Sequence, residues 1–397
     1  MTNPIVSGRD SPQPPPRGTR GSLGEVAALF LKLGCIAFGG PAAHIAMMRQ
    51  EVVQRRRWVS DQEFLDLFAA ANLIPGPTST EVAIFLGYVR AGWPALILAG
   101  TLFILPAMVI VLAIAWTYVR FGSLPPAEWI LYGIKPVIIA IIAQALWELA
   151  KSAFHDWLLA ALSIAIIVLY LIGGNAIALL FGAGAVIALL RRARHGQLSH
   201  LTAAIPPAAL LGVGSPVAVG VPFSLSTLFL TFLKIGAVTY GSGYVLLAFL
   251  RGDLVVRYHW LTDKQLIDAI AVGQFTPGPL FTTATFVGYL TGGLRGAVLA
   301  TLGIFLPSFV FAAFVYPLIP RLRQSPTARA FLDGVTAAAL GLMAAVTWQL
   351  GRTAIVDIAT AVIAILAFGF LLRFRMSSAW LVVGGALLGV ARKAILG

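Results

Sequence analysis

Residues 93–118 read WPALILAGTLFILPAMVIVLAIAWTY and contain no Asp, Glu, Lys, Arg or His. At a rise of ~1.5 Å per residue, a helix of this length exceeds the roughly 30 Å hydrocarbon core of a bilayer. Other apolar runs cover residues 130–146, 157–172, 297–319 and 355–372. The sequence therefore predicts an all-α polytopic membrane protein, with the lipid bilayer as its principal partner.

The overall composition agrees with this interpretation. Of the 397 residues, 59% are hydrophobic and 11% are charged, and the mean hydropathy is +0.91. The net charge is +13, but the basic residues cluster between apolar runs, as in Arg55-Arg56-Arg57 and Arg191-Arg192. Cytoplasmic loops have this character under the positive-inside rule. We therefore interpret the charge as a topology signal and expect no nucleic-acid partner.

Several function classes find no support in the sequence. Cys35 is the only cysteine, so an internal disulfide is excluded. The five histidines lack the spacing of metal ligands, and there is no Walker loop or Ser-His-Asp arrangement. We therefore expect a protein that is not an enzyme and that has no metal site or cofactor.

The chain contains two copies of one unit. Residues 30–34 (FLKLG) recur as residues 232–236 (FLKIG), and Pro75-Gly76-Pro77 recurs as Pro277-Gly278-Pro279. The offset is 202 residues up to these turns and 201 after them. The predicted domains are a disordered tail at 1–24, a first membrane repeat at 25–194, a linker at 195–224 and a second membrane repeat at 225–397.

The crossings in each copy set the expected relation between the two. We predict about five crossings and a broken re-entrant helical hairpin per copy, the first hairpin at residues 64–91. An odd number of crossings makes the copies inverted repeats, which is common in secondary transporters. Loop charges support inversion in part. Arg321 and Arg323 lie in a loop whose equivalent in the first copy is nearly uncharged, as inversion predicts, whereas Arg251 and Arg257 would lie outside the cell.

The Pro-Gly-Pro turns interrupt helices, because proline lacks an amide N–H and clashes with the preceding turn. Each break starts a new helix whose free amides and dipole favour an anion. The predicted substrate-binding residues lie at these breaks and near them: Lys32, Phe38, Gly39, Gly40, Pro41, Asn72, Pro75, Gly76, Pro77, Thr78, Ser79, Thr80, Lys234, Gly241, Ser242, Gln274, Thr276, Pro277, Gly278 and Pro279. The alternative is that glycine and proline only let the helices pack or kink.

Four ionisable residues near the breaks have two interpretations each. Lys32 and Lys234 lie in apolar sequence and either reach the cavity or extend to the membrane interface. Glu81 is a candidate for proton coupling, or a carboxylate placed favourably in a first helical turn. His44 is a second candidate for proton coupling, or a packed side chain.

The motif residues 38–44 (FGGPAAH), followed by Pro75-Gly76-Pro77 and Gly87-Tyr88, resemble the signature of the chromate ion transporter family. With the second Pro-Gly-Pro, the resemblance covers about 350 residues and is to the long, two-domain type. It implies a bacterial inner-membrane protein that exports chromate, driven by the proton-motive force, and confers chromate resistance. It also implies that chromate is handled as an analogue of sulfate. The second copy departs from the motif at Tyr240 and Ser242.

Two other functions remain open from the sequence. One is transport of sulfate or another divalent oxyanion, and the other is a passive anion channel. The sequence is also consistent with a homo-oligomer, and it does not determine the oligomeric state.

Overall fold

The computed structural model describes residues 21–122, 124–154, 156–194, 222–240, 243–315, 325–374 and 378–396. The helices of the first copy are α1 (Leu23–Ile36), α2 (Gly40–Arg49), α3 (Asp61–Ala71), α4 (Thr78–Ala91), α5 (Trp93–Phe121), α6 (Pro125–Ala153), α7 (Trp157–Leu171) and α8 (Ala176–Arg194). A π-helical segment, Gln50–Arg55, continues α2.

The second copy repeats this order of elements. Its helices are α9 (Leu225–Val238), α10 (Leu246–Leu250), α11 (Asp263–Phe275), α12 (Thr283–Val315), α13 (Pro326–Ala354), α14 (Ile358–Phe374) and α15 (Ser378–Leu396). A π-helical segment, Arg251–Arg257, follows α10, and a 3-10 turn, Leu280–Thr282, precedes α12. Helix α12 has a kink at Gly292 and Gly293, where the first copy separates α4 from α5. The described part of the chain is helical, as predicted.

The local signals that start these helices are also repeated. Ser60 forms a capping box with Glu63 at the start of α3, and Thr262 forms one with Gln265 at the start of α11. Such boxes satisfy two amides that a helix N-terminus would otherwise leave without partners. The breaks between the first two helices of each copy fall at residues 37–39 and 239–245.

Six of the described helices are long and apolar enough to cross a membrane: those containing Trp93–Phe121, Ala127–Lys151, Ala176–Ala193, Leu280–Val315, Pro326–Ala354 and Ser378–Ile395. Helices α7, α9 and α14 are apolar but shorter. This supports a multi-pass membrane protein.

The two copies are intertwined at their C-terminal helices. A Cβ atom on Gly133 of α6 would overlap the backbone of Gly385 in α15, and one on Gly334 of α13 would overlap the backbone of Gly184 in α8. Glycine permits these close approaches between helices. The two contacts are equivalent, since 133 corresponds to 334 and 184 to 385. Reciprocal contacts of this kind are what an approximate two-fold relation between the copies produces.

Parts of the predicted organisation lie outside the described residues. These are residues 1–20 of the predicted tail, residues 195–221 of the predicted linker, and two predicted site residues, Gly241 and Ser242.

Candidate functional site

The first Pro-Gly-Pro turn connects the end of α3 to the start of α4. Asn72 caps α3, and Pro77 is the N-cap residue of α4 without a side-chain cap. Gly76 has φ 141°, and a Cβ atom there would overlap the Glu81 carboxylate and the Ser308 hydroxyl. Only glycine fits this turn, which places a carboxylate and a hydroxyl directly against the backbone.

The second turn has the same sequence and different neighbours. Gly278 has φ 91°, and a Cβ atom there would meet the Cβ of Ala107 at 2.7 Å. The hydroxyls beyond the turn bond to the turn itself, from Thr282 to the Pro279 carbonyl and from Thr283 to the Leu280 carbonyl, both at 2.8 Å. This turn is therefore packed against an apolar side chain and satisfies its own polar groups.

Each turn contacts the helix break of the other copy. The Gly76 amide donates to the Thr239 carbonyl at 2.7 Å, and the Gly278 amide donates to the Ala37 carbonyl at 2.9 Å. Positions 37 and 239 are equivalent, as are 76 and 278, so this contact is also reciprocal. All four helix breaks therefore meet at the junction of the two copies.

A cavity of about 520 Å³ opens beside the first turn. Its lining includes Pro41 and Ala42 at the start of α2 and Thr78 at the start of α4. The described residues that line it are Pro41, Ala42, Ile45, Phe68, Asn72, Thr78, Leu149, Tyr240, Val245, Leu332, Val335, Thr336, Ala339, Leu340 and Met343. None of these lining residues is charged, so an anion here would meet two helix N-termini and neutral hydrogen-bond donors.

Both copies contribute polar groups to this cavity. Asn72 and Thr78 come from the first copy, with 3.5 Å between the Thr78 hydroxyl and the Asn72 amide oxygen. Tyr240 and Thr336 come from the second copy. Tyr240 is also close enough to Glu81 to interact with it electrostatically.

Glu81 is fully buried at the start of α4. Its polar neighbour is Ser308 of α12, and no cation pairs with it among the described residues. An ionised carboxylate in such an environment is costly, because burial removes its hydration and nothing compensates the charge. His44, the other candidate for proton coupling, is also buried, with Nε2 3.0 Å from the Ala37 carbonyl and its ring edge-on to Phe103.

The two lysines at the breaks form ion pairs. The Lys32 ammonium lies 2.8 Å from Glu51, which also pairs with Arg55 and Arg56, and Lys234 lies 2.5 Å from Asp253. Hydrogen bonding from Lys32, together with the two arginines, lowers the pKa of the Glu51 carboxyl. Neither lysine is among the cavity-lining residues. Their assignment to anion binding stays a prediction, and the ion pairs give them another role.

The remaining predicted residues surround the junction. Gly39 and Gly40 form the first break with φ 100° and 79°. Phe38 is exposed, whereas Ser79 and Thr80 are buried. Gln274 contacts Tyr244, and the Thr276 hydroxyl donates to the Val272 carbonyl. Of the predicted residues that the structure describes, three line the cavity: Pro41, Asn72 and Thr78.

Thr336 and Ser308 were not predicted from the sequence, and Tyr240 stood out only as a departure from the motif. It also overlooked a buried ion pair between Lys135 and Asp268, at 3.2 Å. A lone lysine within the apolar run 130–146 was a usable signal, because intramembrane charges are functional candidates by default.

Two related halves whose broken helices meet around a shared cavity define a two-repeat membrane transporter. The family model described as chromate transporter matches residues 24–189 and 226–390, and the chain belongs to this family. Because both matches lie on one chain, it is of the long, two-domain type.

Curated relatives match along most of the chain. A chromate transport protein of Cupriavidus metallidurans is 37% identical over 402 residues, covering 98% of this chain and 99% of that protein. A chromate transport protein of Pseudomonas aeruginosa is 34% identical, covering 85% of this chain and 82% of its own length. A probable chromate transport protein of Synechococcus elongatus is 31% identical, covering 87% and 89%. No solved structure matches the chain.

Proposed function

We propose that the protein exports chromate across the bacterial inner membrane and so confers chromate resistance. The observation that supports this most directly is the cavity at the first turn, where the N-termini of α2 and α4 meet neutral donors from both copies. Helix N-termini stabilise an oxyanion without a fixed positive charge. The lack of charged lining suits release as well as binding, since a paired cation would hold a dianion tightly. Curated relatives named as chromate transport proteins support the choice of substrate.

The ion is expected to bind at the start of α4, with Thr78, Asn72, Tyr240 and Thr336 as its side-chain donors. Each of these side chains lines the cavity. The site is expected to accept sulfate as well, because sulfate is also a tetrahedral dianion. Hydrogen bonds to a charged group contribute about 1.5–3 kcal/mol each, which is more than those between neutral groups.

Proton coupling is assigned to Glu81. When ionised, this buried carboxylate repels a dianion in the neighbouring cavity, and when protonated it does not. Tyr240 lines the cavity and interacts electrostatically with Glu81. Proton occupancy of Glu81 would therefore set the affinity of the cavity for the anion, which links anion transport to the protonation of this carboxyl.

We further propose that the copies are inverted repeats and that the α3–α4 and α11–α12 hairpins are re-entrant. Reciprocal contacts at Gly76 and Gly278 support a two-fold relation, and an odd number of crossings would place its axis in the membrane plane. Alternating access would then exchange the conformations of the two copies around the junction.

The test is transport by the purified protein in liposomes. Labelled chromate uptake is measured with an imposed pH gradient, with the gradient collapsed by an uncoupler, and in protein-free liposomes. We expect uptake that depends on the gradient and is competed by sulfate. The absence of uptake under every gradient would contradict the proposal, and uptake unaffected by the uncoupler would indicate a passive channel.

A further inference from the structure

A buried ion pair lies between the copies, outside the lining of the first cavity. Lys135 of α6 is the one lysine or arginine that is buried in the described part of the chain. Its ammonium lies 3.2 Å from Asp268 of α11, which is fully buried. The Tyr118 hydroxyl of α5 donates to the other carboxylate oxygen at 2.9 Å. A carboxylate from the second copy is thus held by a cation and a phenol from the first.

The pair is costly to bury if its role is only structural. Removing two charges from water carries a large penalty, and apolar side chains of similar volume often stabilise a protein as well or better. The nearest other charged pair, Lys264 with Glu128, is exposed and 3.8 Å apart, so it contributes little. The cost of burying this pair therefore favours a functional role for the charge of Lys135.

The two-fold relation supplies such a reason. Position 135 in the first copy corresponds to Thr336, which lines the anion cavity. The neighbours of Lys135 on α6, Leu131 and Ile134, correspond to Leu332 and Val335, which also line it. Leu131, Ile134 and Tyr118 line a second cavity of about 670 Å³ on the other side of the junction. Lys135 thus occupies the counterpart of an anion-facing position.

The equivalent carboxylates of the two copies, Asp268 and Asp66, have different hydrogen-bond partners. Asp268 corresponds to Asp66 of α3, which is only partly exposed and accepts a hydrogen bond from Gln62 on its own helix at 3.2 Å. On the first-copy side, the space next to Thr336 is an open cavity. On the second-copy side, the Lys135 ammonium is paired with Asp268 at 3.2 Å and is not among the described residues that line the second cavity.

We propose that Lys135 is a second subsite for the transported divalent oxyanion, and that Asp268 occupies it as an internal substitute anion in this conformation. When α11 moves away from α6, the oxyanion takes the place of the carboxylate. The proposal rests on the proposed function, because it assumes that a tetrahedral dianion passes through the junction.

The experiment replaces the internal anion with an external one. Asp268→Asn removes the charge of the carboxylate and leaves the Lys135 ammonium without a counterion. Thermal unfolding of the purified variant is measured in sulfate and in chloride at equal ionic strength. We expect sulfate to raise the Tm of D268N by at least about 3 °C more than that of the wild type. If D268N is recovered folded only in sulfate, the proposal is supported in the same way.

Two variants make the readout specific. Lys135→Met combined with D268N should lose the extra sulfate shift, because the cation is gone. Asp333→Asn breaks another ion pair between the copies, Arg191 with Asp333 at 2.5 Å, which is partly exposed, and should show no extra shift. An equal sulfate effect in D268N and wild type, or aggregation of D268N in both salts, overturns the subsite. Chromate uptake by the wild type in liposomes would still stand in that case, so the two failures are distinguishable.

Discussion

The two Pro-Gly-Pro turns share their sequence and a positive φ at their glycine, but they differ in what surrounds them. The first turn lies against Glu81 and Ser308, and its helix start lines an open cavity. The second lies against Ala107, and its helix starts with a 3-10 turn of buried residues. Ser308 and Ala107 are equivalent positions, at an offset of 201. Duplication therefore preserved the break in both copies, while the neighbouring helix made one turn polar and the other apolar.

The largest expected effect comes from Gly76→Ala. A methyl group at φ 141° is strained and overlaps Glu81 and Ser308, so the turn has to move. We expect transport in liposomes to fall about a hundredfold, equivalent to ~2.7 kcal/mol, with normal membrane insertion. Gly173→Ala is the matched control, since Gly173 also has positive φ but has open space around it. Equal losses in both variants would mean that backbone strain alone is responsible.

Gly278→Ala separates the roles of the two turns. Here the methyl group meets the Cβ of Ala107, so we expect a lower yield of folded protein and near-normal transport per folded molecule. Adding Ala107→Gly should restore the yield, because it removes the overlapping atom. A large loss of transport per molecule with normal yield would show that the second turn also takes part in transport.

Glu81→Gln tests the coupling assigned to the first turn. We expect accumulation driven by the pH gradient to fall about tenfold, equivalent to ~1.4 kcal/mol, while exchange of labelled for unlabelled anion continues. The amide cannot take up and release a proton, but it keeps the shape of the side chain. Thr282→Val, at an equivalent position in the second copy, should leave the gradient dependence unchanged. Gradient-driven accumulation by E81Q at the wild-type level would exclude this carboxyl as the coupling group.

Tyr240→Phe removes one neutral donor from the cavity. We expect the KM for sulfate or chromate to rise about tenfold, the value of one hydrogen bond to a charged group. Met343→Leu changes an apolar part of the same lining and should alter KM less than twofold. An unchanged KM in Y240F would remove this phenol from the site.

The smallest effects are expected at Lys32 and Lys234. Their side chains are 46% and 33% exposed, and pairs of this kind contribute at most about 1 kcal/mol. We therefore expect Lys32→Ala and Lys234→Ala to change transport less than about threefold, measured in the same liposomes. A selective loss of more than tenfold in Lys32→Ala would instead support the sequence-based assignment of this lysine to anion binding.

The sequence predicted the features that depend on residues close together in the chain. Proline and glycine act on their own turn, so Pro75-Gly76-Pro77 predicted a helix break from three residues. The repeat register likewise showed that the same break occurs twice. The apolar run at 93–118, which is longer than the bilayer thickness, predicted the long helix α5 without any knowledge of packing.

Contacts between residues that are distant in the chain could not be predicted from the sequence. The ion pair of Lys32 could not be predicted, because its partner Glu51 lies beyond the helix break, on a π-helical segment whose direction the sequence does not reveal. Asp268 meets Lys135 only after the two copies have come together. The difference between the turns depends on Ser308 and Ala107, which approach them from another part of the fold.

The central claim is that the first turn faces the anion and the second does not. Protection of single cysteines tests it directly, since Cys35→Ser gives a cysteine-free protein. Ala42→Cys lies in the first cavity and Phe275→Cys in the second, and both positions are exposed. The rate of modification by a hydrophilic thiol reagent is measured in sulfate and in chloride. We predict that sulfate slows modification at position 42 and leaves it unchanged at position 275; equal protection at both positions, or none at position 42, would contradict the account.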